Sequence, residues 1–193
     1  MSNAQKPPFR ADHVGSLLRP ASVIAARQKF YCEKPKISAE DLRAIEDDAI
    51  TDAVRMQEDL GLQVVTDGEY RRYFWHYDFM GMLTGFDLVT RGEGIQFEGT
   101  KLPPLYPTIT GKLEFPDDHP MLDHYKFVAS KANVTSKISI PGPSCCHFRT
   151  APDDIAPEEY KDIDVLLGDI AATYKKAVQA FYDAGCRYLQ MDD

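Results

Sequence analysis

Apolar residues recur at steps of three and four along two long stretches of the chain. Each stretch stops at a glycine and opens onto a short apolar run closed by acids. In the first, Leu42, Ile45, Ala49, Ala53, Met56 and Leu60 share one helical face. Ser38 stands three residues before Asp41, a variant of the capping box that marks a helix start. Gly61 is a natural stop. "LQVVTDGE" then predicts a short strand and a turn carrying Asp67, Gly68 and Glu69. In the second, Pro157 suits a first helical turn. Ile163, Leu166, Ile170, Tyr174, Ala177 and Phe181 keep the spacing, Gly185 ends it, and "CRYLQMDD" predicts a strand that delivers Asp192 and Asp193. The two stretches share a plan rather than a recognisable repeat.

Two more strands are expected. "FRADHVGSLLRP" holds an extended stretch followed by the Gly15-Ser16 turn. In "TSKISIPGPS", Ile138 and Ile140 alternate with polar residues until Pro141, Gly142 and Pro143 break the run. Between them, 86–120 is rich in Gly, Pro and alternating residues. A β-hairpin over "VTRGEGIQF" and an irregular loop are expected there, as an insertion, a lid or a partner surface. Residues 1–8, with a tag-like "SNA", form a disordered lead, and 9–193 form the folded part. About four strand–helix units make an α/β protein with parallel strands. Sites in such folds lie at the C-terminal ends of strands, where Glu69 and Asp192 both fall. Solvated loop acids or helix caps are the plainer account of either one. A closed (β/α)₈ barrel takes eight units and about 250 residues, so 193 residues correspond to an incomplete barrel.

The net charge of −8 argues against nucleic acid and anionic membrane as partners. No apolar run approaches the length of a membrane span, and "MSNAQKPPFR" lacks the apolar centre of a signal peptide. Cys32, Cys145, Cys146 and Cys186 show no disulfide spacing and are expected as reduced thiols, which places the chain in the cytoplasm.

"TDGEYRR" is the densest polar cluster at a predicted strand end. Glu69 suits a substrate ammonium group, and Arg71 and Arg72 suit either Glu69 or a substrate carboxylate. A turn with surface arginines is the structural alternative. "YFWHYDF" follows, with the single tryptophan, Trp75. Flat aromatics beside a site can stack a ring-shaped substrate, although core packing is the commoner role and the one favoured for Trp75. Cys145, Cys146 and His147 in "PSCCHF" are soft ligands of the kind zinc takes. Their spacing is wrong for it, and adjacent side chains on an extended chain point to opposite faces. In "DHVGS", Gly15 lets a ligand approach the backbone, and the Ser16 hydroxyl and amide can bind a carboxylate.

Taken in order, "HVGSLLRP", "TDGEYRR" with "WHYDF", "IPGPS" and "AGCRYLQMDD" resemble the cobalamin-independent methionine synthase superfamily. The likeness is to short proteins related to its catalytic C-terminal domain, the 5-methyltetrahydropteroyltriglutamate–homocysteine methyltransferase-like group. It spans nearly the whole chain. The resemblance implies a (β/α)₈ barrel of the methionine synthase/uroporphyrinogen decarboxylase type, represented here by its N-terminal half. It implies methyl transfer from a methylated folate, or another methyl donor, to the thiol of homocysteine. A zinc ion would hold that sulfur as thiolate in the full-length parent. It also implies that Ser16, with Gly15, binds the amino-acid end of the substrate, that Glu69 and Asp192 hold its ammonium group, and that His13 is a neighbour of the site. The family's zinc ligands, a His-x-Cys pair followed by Glu and Cys, would lie beyond Asp193, leaving no metal ligand in this chain. Where the larger synthases carry a pterin-stacking Trp after a Gly-Pro pair, this chain has His147 and Phe148 after Gly142-Pro143. Phe148 and Trp75 are the candidates for ring stacking. The chain alone is then expected to be inactive. A metal-free uroporphyrinogen decarboxylase-like enzyme and a non-catalytic half-barrel module, pairing with a second copy or a complementary half, are the alternatives.

Overall fold

The computed structural model describes residues 9–94, 96–101 and 103–193; the expected disordered lead, 1–8, lies outside them. In chain order the elements are α1 (Ala21–Phe30), α2 (Ala39–Asp59), β1 (Val64–Val65), α3 (Tyr77–Met80), β2 (Thr84–Thr90), β3 (Gln96–Phe97), β4 (Thr100–Lys101), β5 (Leu105–Glu114), α4 (Pro120–Lys131), β6 (Thr135–Ser136), β7 (Ile138–Pro141), α5 (Ser144–Phe148), two 3₁₀ turns (Pro152–Asp154 and Glu158–Lys161), α6 (Ile163–Asp183) and β8 (Leu189–Asp192).

The two helix-to-strand stretches form by the signals in their sequences. At the head of α2, Ser38 Oγ accepts from Asp41 N–H at 3.0 Å while the Asp41 carboxylate accepts from Ser38 N–H at 3.2 Å, a complete capping box. Both helices end in the same way. Gly61 and Gly185 take φ of 83° and 97°. Their N–H groups reach the carbonyls of Glu58 and Tyr182, and the following N–H groups, of Leu62 and Cys186, reach back to Gln57 and Phe181. This double bond pattern satisfies the last helical carbonyls and turns the chain into a strand. α6 starts later than Pro157 suggests. A 3₁₀ turn intervenes, and Asp162 accepts from Asp164 N–H at 3.0 Å to open the helix.

The chain divides into two compact units. Among the described residues, the first comprises 9–72, 122–139 and 181–190; the second comprises 73–94, 96–101, 103–121, 140–180 and 191–193. In the first unit β1 pairs with β6 in parallel. Lys137 N–H continues that ladder to Val65, and Ile138 N–H turns to Tyr188. The 135–139 segment therefore lies between the 64–65 and 188–190 segments. β7 pairs with β8, and the bonds from Ile138 to Tyr188 and from Gly142 to Asp192 advance together, as parallel strands do. α1 and α2 bury Val23, Ala49, Ile50, Ala53 and Val54 against Val65, Tyr70 and Val128.

The second unit is built on a long antiparallel pair, β2 with β5. Phe79, Phe86, Ile109, Leu113, Phe115, Leu166 and Tyr174 are buried there.

Three expectations are corrected. The 9–20 segment enters no ladder; Asp12 and His13 are held by side chains instead. The hairpin over "VTRGEGIQF" does not close on itself. β2 pairs with β5, which replaces the expected irregular loop with a ten-residue strand, and a smaller β3–β4 hairpin is nested between. Ile138–Pro141 is buried on both faces rather than one, because Ser139 is taken up by internal hydrogen bonds.

Candidate active site

The turn after β1 is assembled by residues on four segments of the first unit. Gln57, one turn from the end of α2, clamps the strand end: its amide accepts from Thr66 N–H at 3.0 Å and donates to Thr66 C=O at 2.9 Å. Thr66 Oγ1 accepts from Gly68 N–H, and Asp67 Oδ1 accepts from Glu69 N–H at 2.9 Å, an Asx-type turn. This winds Gly68 and Glu69 into the left-handed region. At φ 57°, Glu69 is the positive-φ non-glycine residue of the described chain. Such a conformation costs of order 1 kcal/mol and persists only where neighbours impose it. Arg19 imposes it from the outside, donating to the carbonyls of Glu69 and Arg72 at 2.7 Å each and to Tyr70 at 3.3 Å.

Glu69 is only 7% exposed. Its Oε1 accepts from Ser139 Oγ at 3.2 Å and lies 3.5 Å from Arg72. Arg72 is in turn anchored on Ser139 C=O at 2.6 Å. Both contacts to the carboxylate fall on Oε1. Arg71, expected beside Glu69, points away to Glu46 and Asp47 of α2. A small pocket opens here, lined by Glu69, Asp67, Thr66, His13, Gly15, Lys137, Ile138, Ser139 and Gln190. Its volume of about 10 Å³ has room for one water-sized group. Two carboxylates, Asp67 and Glu69, and the hydroxyls of Thr66 and Ser139 line it; the Lys137 ammonium in the same lining is bound to Asp12, His13 and Gln190, so the carboxylates suit a single added ammonium nitrogen. Close by, His124 is pushed down to about 4 by burial and by the Arg71 charge, with Asp67 pulling the other way. At neutral pH it adds no positive charge.

The predicted residues fall as follows. Gly15 and His13 line the pocket. His13 Nε2 donates to Gly15 C=O at 2.7 Å. Ser16 is exposed on the adjoining turn, its hydroxyl 3.2 Å from Leu17 C=O and 3.3 Å from Gly68 C=O, and Leu17 N–H bonds Gly68 C=O at 3.0 Å. The "GS" and "DGE" turns, fifty residues apart in sequence, are thus stitched together. Asp192 lies in the second unit at the end of β8, where its carbonyl receives Gly142 N–H.

Trp75 and Phe148 line one cavity of the second unit, about 710 Å³, with Tyr73, Tyr77, Tyr106 and Arg149. Trp75 is half-buried at this wall and not part of the core. Its neighbour His76 is buried and pushed down to about 4, first by burial and then by the Arg149 charge. Cys145 and Cys146 sit on α5, not on an extended chain, and both are buried. Burial pushes the Cys146 thiol up to about 12 and raises Cys145 and Cys186 as well, so these are protonated thiols at neutral pH. All four cysteines are free.

Sequence reasoning missed Gln57, Arg19 and Lys137. The last carried a signal: a lone lysine inside the apolar strand "KISIP" must find buried partners.

The geometry has counterparts. Residues 9–193 match the family described as the cobalamin-independent synthase, catalytic domain, and the chain belongs to that family. It is 48% identical over 190 residues to protein YxjH of Bacillus subtilis, covering 98% of this chain and 49% of that one. It is 28% identical over 162 residues to a methionine synthase of Sulfolobus acidocaldarius, covering 82% and 44%. A crystal structure of a Listeria monocytogenes protein assigned as a vitamin-B12-independent methionine synthase superposes with TM-score 0.82 at 39% identity, over 98% of this chain and 53% of that one. The chain spans about half the length of the curated relatives it matches. Among the described residues no helix is long and apolar enough to cross a membrane.

The family implies zinc, and the residues here do not fit it. Among the described residues no three His, Cys, Asp or Glu side chains gather as a metal site, and the buried cysteines are held as thiols.

Proposed function

We propose that this chain supplies the amino-acid-binding part of a methyltransferase whose acceptor is the thiol of homocysteine, with methionine as product. The observation that carries the reading is the Glu69 carboxylate. It is strained into the left-handed region, fixed on one oxygen by Ser139 and Arg72, and set in a pocket sized for one ammonium group. The substrate's ammonium nitrogen enters that pocket and binds Glu69. Its carboxylate lies outside, against the Gly15-Ser16 turn, where a backbone N–H and the Ser16 hydroxyl can donate to it. The thiol then projects away from the pocket floor. Charge-assisted hydrogen bonds at both ends orient the nucleophile, which lowers the barrier through positioning.

Family membership supports this reading, as do the methionine synthases among the relatives. Trp75 and Phe148 are proposed to stack the flat ring of a methylated folate or similar donor, which the aromatic wall of their cavity would accept. The barrel fold of the parent protein belongs to the same proposal.

The test is titration of the 193-residue chain with L-homocysteine by NMR or calorimetry, beside Glu69→Gln. Losing one charge-assisted bond worth about 1.5–3 kcal/mol should weaken binding by roughly tenfold to a hundredfold. Equal affinity in the two proteins, or no saturable binding by the unaltered chain, would sink the proposal.

A further inference from the structure

Lys137 sits between β6 and β7 with its side chain 1% exposed. All three of its ammonium protons are spoken for: Asp12 Oδ1 at 2.9 Å, His13 C=O at 2.5 Å and Gln190 Oε1 at 2.8 Å. Tyr188 closes the network from the other side, its hydroxyl donating to Asp12 Oδ2 at 2.6 Å. The Tyr188 ring also lies beneath the lysine nitrogen, 5.3 Å away. Burial works to raise the Asp12 pKa, but the bonds from Tyr188 and Lys137 outweigh it, and the group stays below its usual value. A buried lysine saturated by three acceptors is not available to a substrate. Two of its three partners, however, Asp12 and His13, lead into the Gly15-Ser16 turn, on the segment that has no β-ladder. From Lys137 the chain of contacts runs through His13, whose ring donates to Gly15 C=O.

We infer that Lys137 is a positioning residue for the carboxylate end of the substrate. Its ammonium group, in place of strand pairing, holds 12–16 so that Gly15 and Ser16 face the substrate beside the Glu69 pocket. This rests on the amino-acid reading above. Without the ammonium, Asp12 and His13 lose their common anchor; Tyr188 on Asp12 and the bonds of Ser16 and Leu17 to Gly68 C=O remain, so 12–16 loosens, while the 66–72 turn that carries Glu69 keeps its own bonds to Gln57, Arg19 and Ser139.

The experiment compares L-homocysteine with 3-amino-1-propanethiol, which keeps the ammonium and thiol but lacks the carboxylate. The unaltered chain should prefer homocysteine by about tenfold or more, the worth of one hydrogen-bonded carboxylate. Lys137→Met should erase that preference by weakening homocysteine alone, and backbone order parameters from ¹⁵N relaxation should fall at 12–16 but not at 64–72. Equal weakening of both ligands, or an undiminished preference, overturns the inference. Should Lys137→Met fail to fold because Asp12 is left buried and unpaired, the double variant Lys137→Met/Asp12→Asn removes both charges and is read in the same way. If the unaltered chain binds neither thiol, the amino-acid reading fails. The order parameters then decide the positioning role: unchanged values at 12–16 in the variant refute it, and a selective fall there upholds it.

Discussion

Replacing Gln57 with methionine isolates what holds the candidate site to the fold. The side chain is 2% exposed, and methionine has nearly its volume, so little cavity forms. Three hydrogen bonds vanish: those to Thr66 N–H and C=O, and one to Ala53 C=O. Ala53 C=O keeps its partner within the helix. The two groups of Thr66, itself buried, lie at the end of a two-residue strand and have no ladder to fall back on. Leaving a buried donor and a buried acceptor unsatisfied costs about 1–3 kcal/mol each. The expected loss is about 2–6 kcal/mol, a large share of a small domain's stability. Urea unfolding should show the midpoint falling with the slope unchanged, and homocysteine binding should weaken because the Glu69 turn springs from Thr66. Gln57→Glu sharpens the test. It keeps an acceptor for Thr66 N–H but sets a second oxygen against two carbonyls, so the carboxyl favours its protonated form when folded. Its deficit should shrink as pH falls, because the folded state then binds the extra proton. A loss below about 0.5 kcal/mol for Gln57→Met would refute the clamp, being within the range of an ordinary surface change.

Other perturbations follow from particular contacts. Gly85→Ala should destabilise β2–β5 by several kcal/mol, since φ is 75° and a Cβ would stand 2.4 Å from Lys112 C=O and 2.6 Å from Gly111 C=O; thermal unfolding of the variant measures it, and a native-like midpoint would contradict the placement. Acid should weaken the fold between pH 6.5 and about 4. His76 and His124 are held at about 4 in the folded chain and titrate near 6.5 unfolded, so the unfolded chain binds the extra protons throughout that window and stability falls as pH drops through it. Allowing for partial solvent access, each contributes about 1–3 kcal/mol; a urea midpoint that stays level from pH 7 to 5 would contradict this. Ser38→Ala removes the reciprocal cap of α2 and should cost about 1 kcal/mol, read as a small drop in urea midpoint.

Local features of the fold were legible because they are written in neighbouring residues. Ser38 and Asp41, the spacing of apolar positions in α2 and α6, and the paired stops at Gly61 and Gly185 depend on interactions within one or two turns. The Gly15-Ser16 and Asp67–Glu69 turns stood out for the same reason, as did their resemblance to one family. Pairing was another matter. Nothing local says that β2, ending at Thr90, waits until Leu105 for β5 rather than closing on itself. The 9–20 stretch has an extended pattern, yet no strand accepts it.

The residue types and their order were enough to mark Glu69 as a carboxylate at a strand end and to place the chain in its family. Only the tertiary structure decided that Arg72 and Ser139 grip one of its oxygens while Arg71 turns to α2. It alone set Trp75 on a cavity wall, made Cys145 and Cys146 buried thiols, and gave Lys137 the task of a missing ladder. The physical reason is common to all of these. A charge or polar group that leaves water must find its partner among groups brought near by folding, and those partners lie dozens of residues away, where no local pattern can name them.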